Sequence, residues 1–352
     1  MKCAWESKIY KNKKCNHHAT NGDYCIFHKG QKSNEEKRIM ISKIINEEIS
    51  DFSGFIFEDD FYTNTVIDYD YNMLDFSECI FNKKADFSDF KFRKSVKFNH
   101  SIFKDQVYFK RAVFISNCIL NKTTFNKKYI DNKIFKGVRF QGQDLIIKNA
   151  KYFPRMDGIL FNDYSKIIFD NIEYEKEDYR HGKLNYRIAR NQALKIGDYE
   201  RIGHYYYNER YYSSKLMKSS DYAKYSEYLG EKFFDSIAKH TIGYGEKPWN
   251  ILIVIVIIIS LFAFFYLFLG VENLEHNLIS LDITKLDSYS LKEIVNKYID
   301  LWYFSMVTFT TLGYGDLIVI SGIGKFVASL EVLLGISCGA IWTSLIIKRM
   351  LR

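Results

Sequence analysis

Large apolar residues recur between positions 74 and 125 at alternating steps of five and six. Phe76, Phe87, Phe98 and Phe109 lie eleven apart, and Leu120 continues the series. Phe81, Phe92, Phe103, Phe114 and Phe125 form a second series with the same spacing. An eleven-residue period also describes a helix of about 3.67 residues per turn. A helix would need further apolar residues three and four positions away. Instead Cys79, Ala85, Val96, Ser101, Val107 and Ala112 each stand two before a Phe, which is the period of a strand. The pattern predicts a solenoid whose short strands each send one large and one small side chain inward. Residues 51–57 read as an earlier coil out of phase, and residues 134–172 as looser final coils or a cap, so the solenoid covers residues 50–172.

After residue 172 the pattern changes twice. Residues 173–247 are charged, rich in Tyr and helical in propensity, with boundaries at Gly197-Asp198 and Ser220-Asp221. Tyr228, Phe233, Phe234 and Ile237 share one helical face there. Such a helix suits either the inner leaflet of a membrane or the surface of the solenoid. Residues 251–269 then carry no charge and reach ~28 Å at ~1.5 Å per residue, close to the ~30 Å hydrocarbon core. Pro248 suits the first turn and Trp249 the interface. This predicts a span over about 249–270 and a second over about 322–347. The second contains Lys325, which can reach the interface, and Glu331, which is costly at depth and must face protein or water.

Between the spans, residues 301–312 are apolar, Ser or Thr but too few to cross a bilayer. They predict a half-helix over about 300–311 that enters the membrane and turns back, its C-terminal dipole end favouring cations. Gly313, Tyr314 and Gly315 follow. Glycine allows successive carbonyls to lie on one side of the chain, and such backbone is tolerated in a membrane only where it lines a pore or is enclosed in protein. Gly335 reads either as a bending point of the second span or as a site of close helix packing.

Charge adds orientation. Residues 1–248 hold 43 Lys+Arg and 34 Asp+Glu, and residues 249–352 hold 7 and 8, giving about +9 and −1. A basic front half fits nucleic acid, an anionic membrane surface, or simply a Lys-rich composition. Lys239 and Lys247 precede the first span, and Lys348, Arg349 and Arg352 follow the second. The positive-inside rule therefore puts both termini of a multi-pass cell-membrane protein in the cytosol. Residues 1–30 hold no apolar stretch of the length a secretory signal needs, which agrees.

Two resemblances sharpen this reading. Ala85-Asp86-Phe87-Ser88-Asp89 resembles the A-(D/N)-(L/F)-x-x unit of the pentapeptide-repeat family, which implies a right-handed quadrilateral β-helix. Here every second unit carries one extra residue, which a corner loop or bulge can absorb. DNA-mimicking members of that family are acidic. Residues 76–125 hold 10 Lys+Arg against 4 Asp+Glu, so this surface is not of that kind. Thr311, Leu312, Gly313, Tyr314, Gly315 and Asp316 resemble the T-V-G-Y-G-D selectivity filter of potassium channels, a sequence that also illustrates the general carbonyl-ring principle. The resemblance implies the two-transmembrane pore over residues 248–352. In it Thr311, Leu312, Gly313 and Tyr314 offer carbonyls to potassium as the permeant ion, Asp316 lies at the outer mouth, and four chains close one pore. Leu312 replaces the commoner Val, and Val319 stands where many relatives have Pro. Thr241-Ile242-Gly243-Tyr244-Gly245-Glu246 repeats the motif, but has a span on one side only and reads as a turn into it.

Residues 1–30 hold Cys3, Cys15, Cys25 and His28, a donor set suited to tetrahedral structural zinc. Cys15, Ala19, Gly22, Tyr24, Cys25 and His28, spaced C-x3-A-x2-G-x-Y-C-x2-H, resemble small zinc modules. The gap from Cys3 to Cys15 is long for a ligand pair, with His17 and His18 as substitutes. Cys79, Cys118 and Cys338 read as small core residues. No enzyme signature is present. The expectation is a homotetrameric potassium channel in the lipid bilayer, with a cytosolic regulatory or scaffolding half whose solenoid takes an unknown protein or ligand. A weakly selective cation channel and a membrane-anchored scaffold with a silent pore share this architecture. A zinc-dependent nucleic-acid binder fits least, because no recognition element accompanies the basic charge.

Overall fold

In the computed structural model the two phenylalanine series become four columns of stacked rings. Parallel strand partners lie 22 positions apart, as Ile80 and Ile102 do, and Ala85 and Val107. One coil therefore takes two of the eleven-residue periods, and each series divides between two sides of the coil. Phe76 stacks on Phe98 at 5.3 Å, Phe81 on Phe103 at 4.9 Å, Phe87 on Phe109 at 4.8 Å and Phe92 on Phe114 at 4.6 Å. These distances follow the ~4.8 Å spacing of hydrogen-bonded strands. Four parallel sheets form the walls, including the ladder through Leu74–Asp75, Val96–Lys97, Cys118–Ile119, Asp144–Lys148 and Lys166–Asp170. The result is a β-solenoid of about five turns.

The corners alternate in width. At each five-residue step the chain makes a tight turn, with the amide of Cys79 donating to the Phe76 carbonyl, Ser101 to Phe98 and Ala112 to Phe109. The third residue of each turn is left-handed: Glu78, Asp89, His100, Arg111 and Lys122 have φ of 58, 60, 56, 56 and 53°. The extra residue of the six-residue steps enters the wider corners instead. Phe52 and Phe57 extend two columns backwards, and the phase shift is taken up by chain that includes the short helix Thr63–Val66.

The structure describes residues 1–20, 22–67, 71, 73–130, 134–282 and 289–351. They divide into two units, Met1–Lys218 and Ser219–Arg352. The division falls inside the charged, helical segment 173–247. Its first two helices, α1 (Tyr179–Ile196) and α2 (Tyr199–Leu216), belong to the solenoid. Gly197, at φ 71°, turns the chain between them. Their side chains satisfy the backbone of the last coil where no further strand follows. The Tyr205 hydroxyl donates to the Ile167 carbonyl at 2.7 Å and accepts from the Phe169 amide at 3.2 Å. Gln192 Nε2 donates to the carbonyls of Asn162 and Ser165, both at 2.8 Å.

The second unit begins with α3 (Tyr225–Thr241) and continues with α4 (Pro248–Leu269), α5 (Leu291–Phe309) and α6 (Gly322–Met350). The helices α4 and α6 are long and apolar enough to cross a membrane. The half-helix starts at Leu291 rather than near 300. Ser290 caps it and exchanges hydrogen bonds with Glu293 in a capping box, a local signal that outweighs the polar character of its first turns. On α3, Tyr225, Phe233 and Phe234 are more than 60% exposed, so its apolar face is open within this unit.

Candidate functional site

The half-helix α5 is fastened to α4 by polar contacts. Trp302 Nε1 donates to Ser260 Oγ at 3.1 Å, and the Tyr298 hydroxyl donates to the Ser260 carbonyl at 3.1 Å. Ser305 Oγ lies 2.9 Å from the Ile259 carbonyl and also touches Glu331 Oε1. Glu331 is fully buried, and its other oxygen accepts from the Tyr266 hydroxyl at 2.8 Å. The carboxyl thus joins both spans and the half-helix, and faces protein, as the cost of an ionisable group at depth requires. Tyr266, Ser260 and Ser305 carry no spacing signal in the sequence. Only the lone Glu in an apolar run hinted that partners existed.

At the end of α5 the helix closes on Thr310, and the backbone then alternates in hand. Thr311, Gly313 and Gly315 have φ of 60, 56 and 78°, while Leu312 and Tyr314 between them do not have positive φ. Alternation of this kind turns successive carbonyls to one side of the chain, and Gly supplies two of the three left-handed positions without a Cβ clash. Leu312 and Tyr314 are 57% and 67% exposed. Beyond them, Leu317–Ile318 pairs with Val271–Asn273, which ties the exit of this loop to the end of α4. Gly335 faces the last residue of α5. A Cβ there would overlap the Phe309 carbonyl, so close packing is the role the geometry displays.

The second copy of the motif is built differently. Gly243–Gly245 is a single turn between α3 and α4. The Tyr244 hydroxyl donates to Asp235 Oδ2 at 3.1 Å, and Lys348 Nζ reaches the Gly245 carbonyl at 3.3 Å and Glu246 at 2.7 Å. It serves as a turn into the span, held to the end of α6.

In the first unit, Cys3, Cys15, Cys25 and His28 come together, with their donor atoms all within 4.8 Å of one another and all four residues buried. Tetrahedral ligands at ~2.3 Å from a zinc ion would place two sulfurs ~3.7 Å apart. Cys15 Sγ and Cys25 Sγ are 3.7 Å apart, and His28 Nδ1 is 3.2 Å from Cys25 Sγ and 3.6 Å from Cys3 Sγ. The long gap between Cys3 and Cys15 is closed by backbone pairing of Lys2 with His18 and of Glu6 with Lys14. Neither His17 nor His18 belongs to the cluster. Burial pushes the Cys15 thiol up to about 12 and His28 down to about 4. A bound cation would reverse the first effect and use the neutral imidazole left by the second. His28 Nε2 lies 2.9 Å from the Ser53 carbonyl, which fixes Nδ1 toward the sulfurs. The set could hold one metal ion.

Comparison with known families agrees with both halves. Residues 277–352 match the family described as an ion channel, and residues 76–124 match pentapeptide repeats in nine copies. No curated protein and no solved structure matches the chain. Residues 277–352 therefore carry an ion-channel domain, and residues 76–124 of the solenoid carry pentapeptide repeats.

Proposed function

We propose that four copies of this chain form a potassium-selective channel in the cell membrane. Residues 311–316 of each copy would line the conduction path. The observation that carries this reading is the alternating backbone hand at Thr311, Gly313 and Gly315, directly after a half-helix held between two apolar helices. Carbonyls gathered on one side of the strand replace the hydration shell of a dehydrated alkali cation. The exposed Leu312 and Tyr314 fit packing against neighbouring copies. Both termini lie in the cytosol, the open apolar face of α3 lies along the inner leaflet, and the solenoid half regulates or scaffolds the pore. The Cys3, Cys15, Cys25 and His28 cluster takes structural zinc.

Purified chain in potassium-loaded liposomes tests this, with ion flux and reversal potential as readouts. Wild-type protein is expected to pass potassium in preference to sodium, and Gly313→Asp to abolish the flux. Equal potassium and sodium permeability would overturn the selectivity. A flux that Gly313→Asp leaves intact would overturn the assignment of the filter.

A further inference from the structure

One face of α1 carries a basic stripe. Arg180, Lys183, Arg187 and Arg190 follow at steps of three, four and three, which keeps them on one side of a helix. The stripe is not compensated evenly. At its C-terminal end, Glu209 of α2 accepts a hydrogen bond from Arg187 Nε at 2.8 Å and forms an ion pair with Arg190 at 3.1 Å. At its N-terminal end, Arg180 and Lys183 have no ion-pair partner among the described residues. Arg155, from the loop between the strands Asp144–Lys148 and Ile159–Phe161, lines the same end and pairs with Asp157. Arg155, Arg180, His181, Lys183 and Arg187 line a cleft of about 340 Å³, with Leu184 and Leu216 as its apolar patch.

The local accounting favours an anionic guest. Asp157 answers Arg155, and Glu209 is shared by two arginines, so Arg180 and Lys183 remain in excess. His181 Nδ1 is 3.8 Å from Asp178, too far for a hydrogen bond. Arg155 Nε and His181 Nδ1 are both buried without a hydrogen-bond partner. Two orphaned nitrogens, two uncompensated cations and a concave wall thus meet in one place. Guanidinium forks match phosphate geometry, and a lysine adds a point charge. The two leucines give an organic ring or chain an apolar surface to lie on.

From this juxtaposition we infer that the cleft between the Arg155 loop and α1 binds a phosphate-bearing ligand with an organic moiety. A nucleotide and a phospholipid headgroup share that chemistry. Neither the pore nor the metal cluster contributes to it, so it stands apart from the conduction reading.

The test uses full-length protein in detergent, with ADP, pyrophosphate and inorganic phosphate as titrants, followed by calorimetry. A second arm measures binding of the same protein to nanodiscs with and without anionic phospholipid, by surface plasmon resonance. The probe variant is R180E/K183E. The control is K94E/K110E, which changes the net charge equally at exposed solenoid positions. Saturable binding of ADP, or added binding to anionic nanodiscs, that R180E/K183E weakens at least tenfold and K94E/K110E less than twofold is expected. Response to ADP assigns the ligand to the soluble pool, and response to nanodiscs alone assigns it to the membrane. Absence of saturable binding in both arms up to millimolar titrant, or equal loss in both variants, would overturn the site. Circular dichroism of R180E/K183E at wild-type amplitude keeps a negative result from being one of misfolding.

Discussion

The Tyr266 hydroxyl donates to Glu331 across the two apolar helices, at 2.8 Å and out of reach of solvent. Ser305 of the half-helix touches the other carboxyl oxygen and the Ile259 carbonyl as well. A serine hydroxyl has one proton, so it can donate to only one of them. Gln at position 331 would accept from Tyr266 and donate to Ser305, leaving the Ser proton for Ile259. Glu331→Gln is therefore expected to keep thermal stability in detergent within about 1 kcal/mol of wild type. Glu331→Leu strands the Tyr266 hydroxyl and is expected to lose about 1–3 kcal/mol. Equal stability of the Leu and Gln variants would show that this carboxyl does not join the helices.

Gly335 separates two roles that its position in the chain left open. A methyl group there would meet the Phe309 carbonyl, whereas at Gly339 nothing lies within 4 Å. Backbone cannot rotate aside as a side chain can, so Gly335→Ala must displace either α6 or the end of α5. Potassium flux in liposomes is expected to fall more than tenfold for Gly335→Ala and to stay within twofold for Gly339→Ala. Undiminished flux in Gly335→Ala would remove the close approach as a requirement.

The legible features were those set by local chain chemistry. Phe76 and Phe87 announce a period, and Gly313 and Gly315 announce carbonyls brought to one side of the chain; the left-handed Thr311 between helix and loop was not legible. The four ring columns were not legible, because an eleven-residue spacing does not say whether a coil takes one period or two. The capping of the last coil by Tyr205 and Gln192 was also hidden. Tyr and Gln on a helix read as surface residues until a strand edge is placed beneath them. Glu331 could be flagged but not partnered, since Tyr266 lies 65 positions away. For the metal cluster, Cys25 and His28 were local, while Cys3 depended on pairing of the chain with itself.

The tight solenoid corners carry strain that the sequence does not advertise. His100 sits at φ 56° in a turn position where glycine is the natural occupant. A left-handed L-residue costs about 1–2 kcal/mol, partly offset in glycine by the entropy of the unfolded chain. His100→Gly is expected to leave stability unchanged or raise it by up to about 1 kcal/mol, and His100→Val to lower it by about 1–2 kcal/mol, measured by urea unfolding. A more stable Val variant would contradict the strained turn.

Metal removal should act locally before it acts globally. Contacts beside the cluster tie residues 1–28 to the first coil. His28 contacts the Ser53 carbonyl and Phe27 stacks on Phe55 at 4.5 Å, while Trp5 stacks on His28 at 4.4 Å within the N-terminal segment. The ring contacts do not depend on an ion, whereas the placement of three buried sulfurs beside one imidazole does. A chelator, or Cys25→Ser, is therefore expected to reduce bound zinc from one per chain to none. Hydrogen exchange should accelerate at the amide of Ala4, which is bonded to Asp23, and at that of Ile56, bonded to Phe27. The amides of Ile102 and Val113, held between neighbouring coils, should keep wild-type rates because the phenylalanine columns remain packed. Uniform acceleration at all four amides would mean that the ion holds the whole solenoid together. No acceleration at any of them, with zinc lost, would mean that the apolar contacts alone secure the N-terminus.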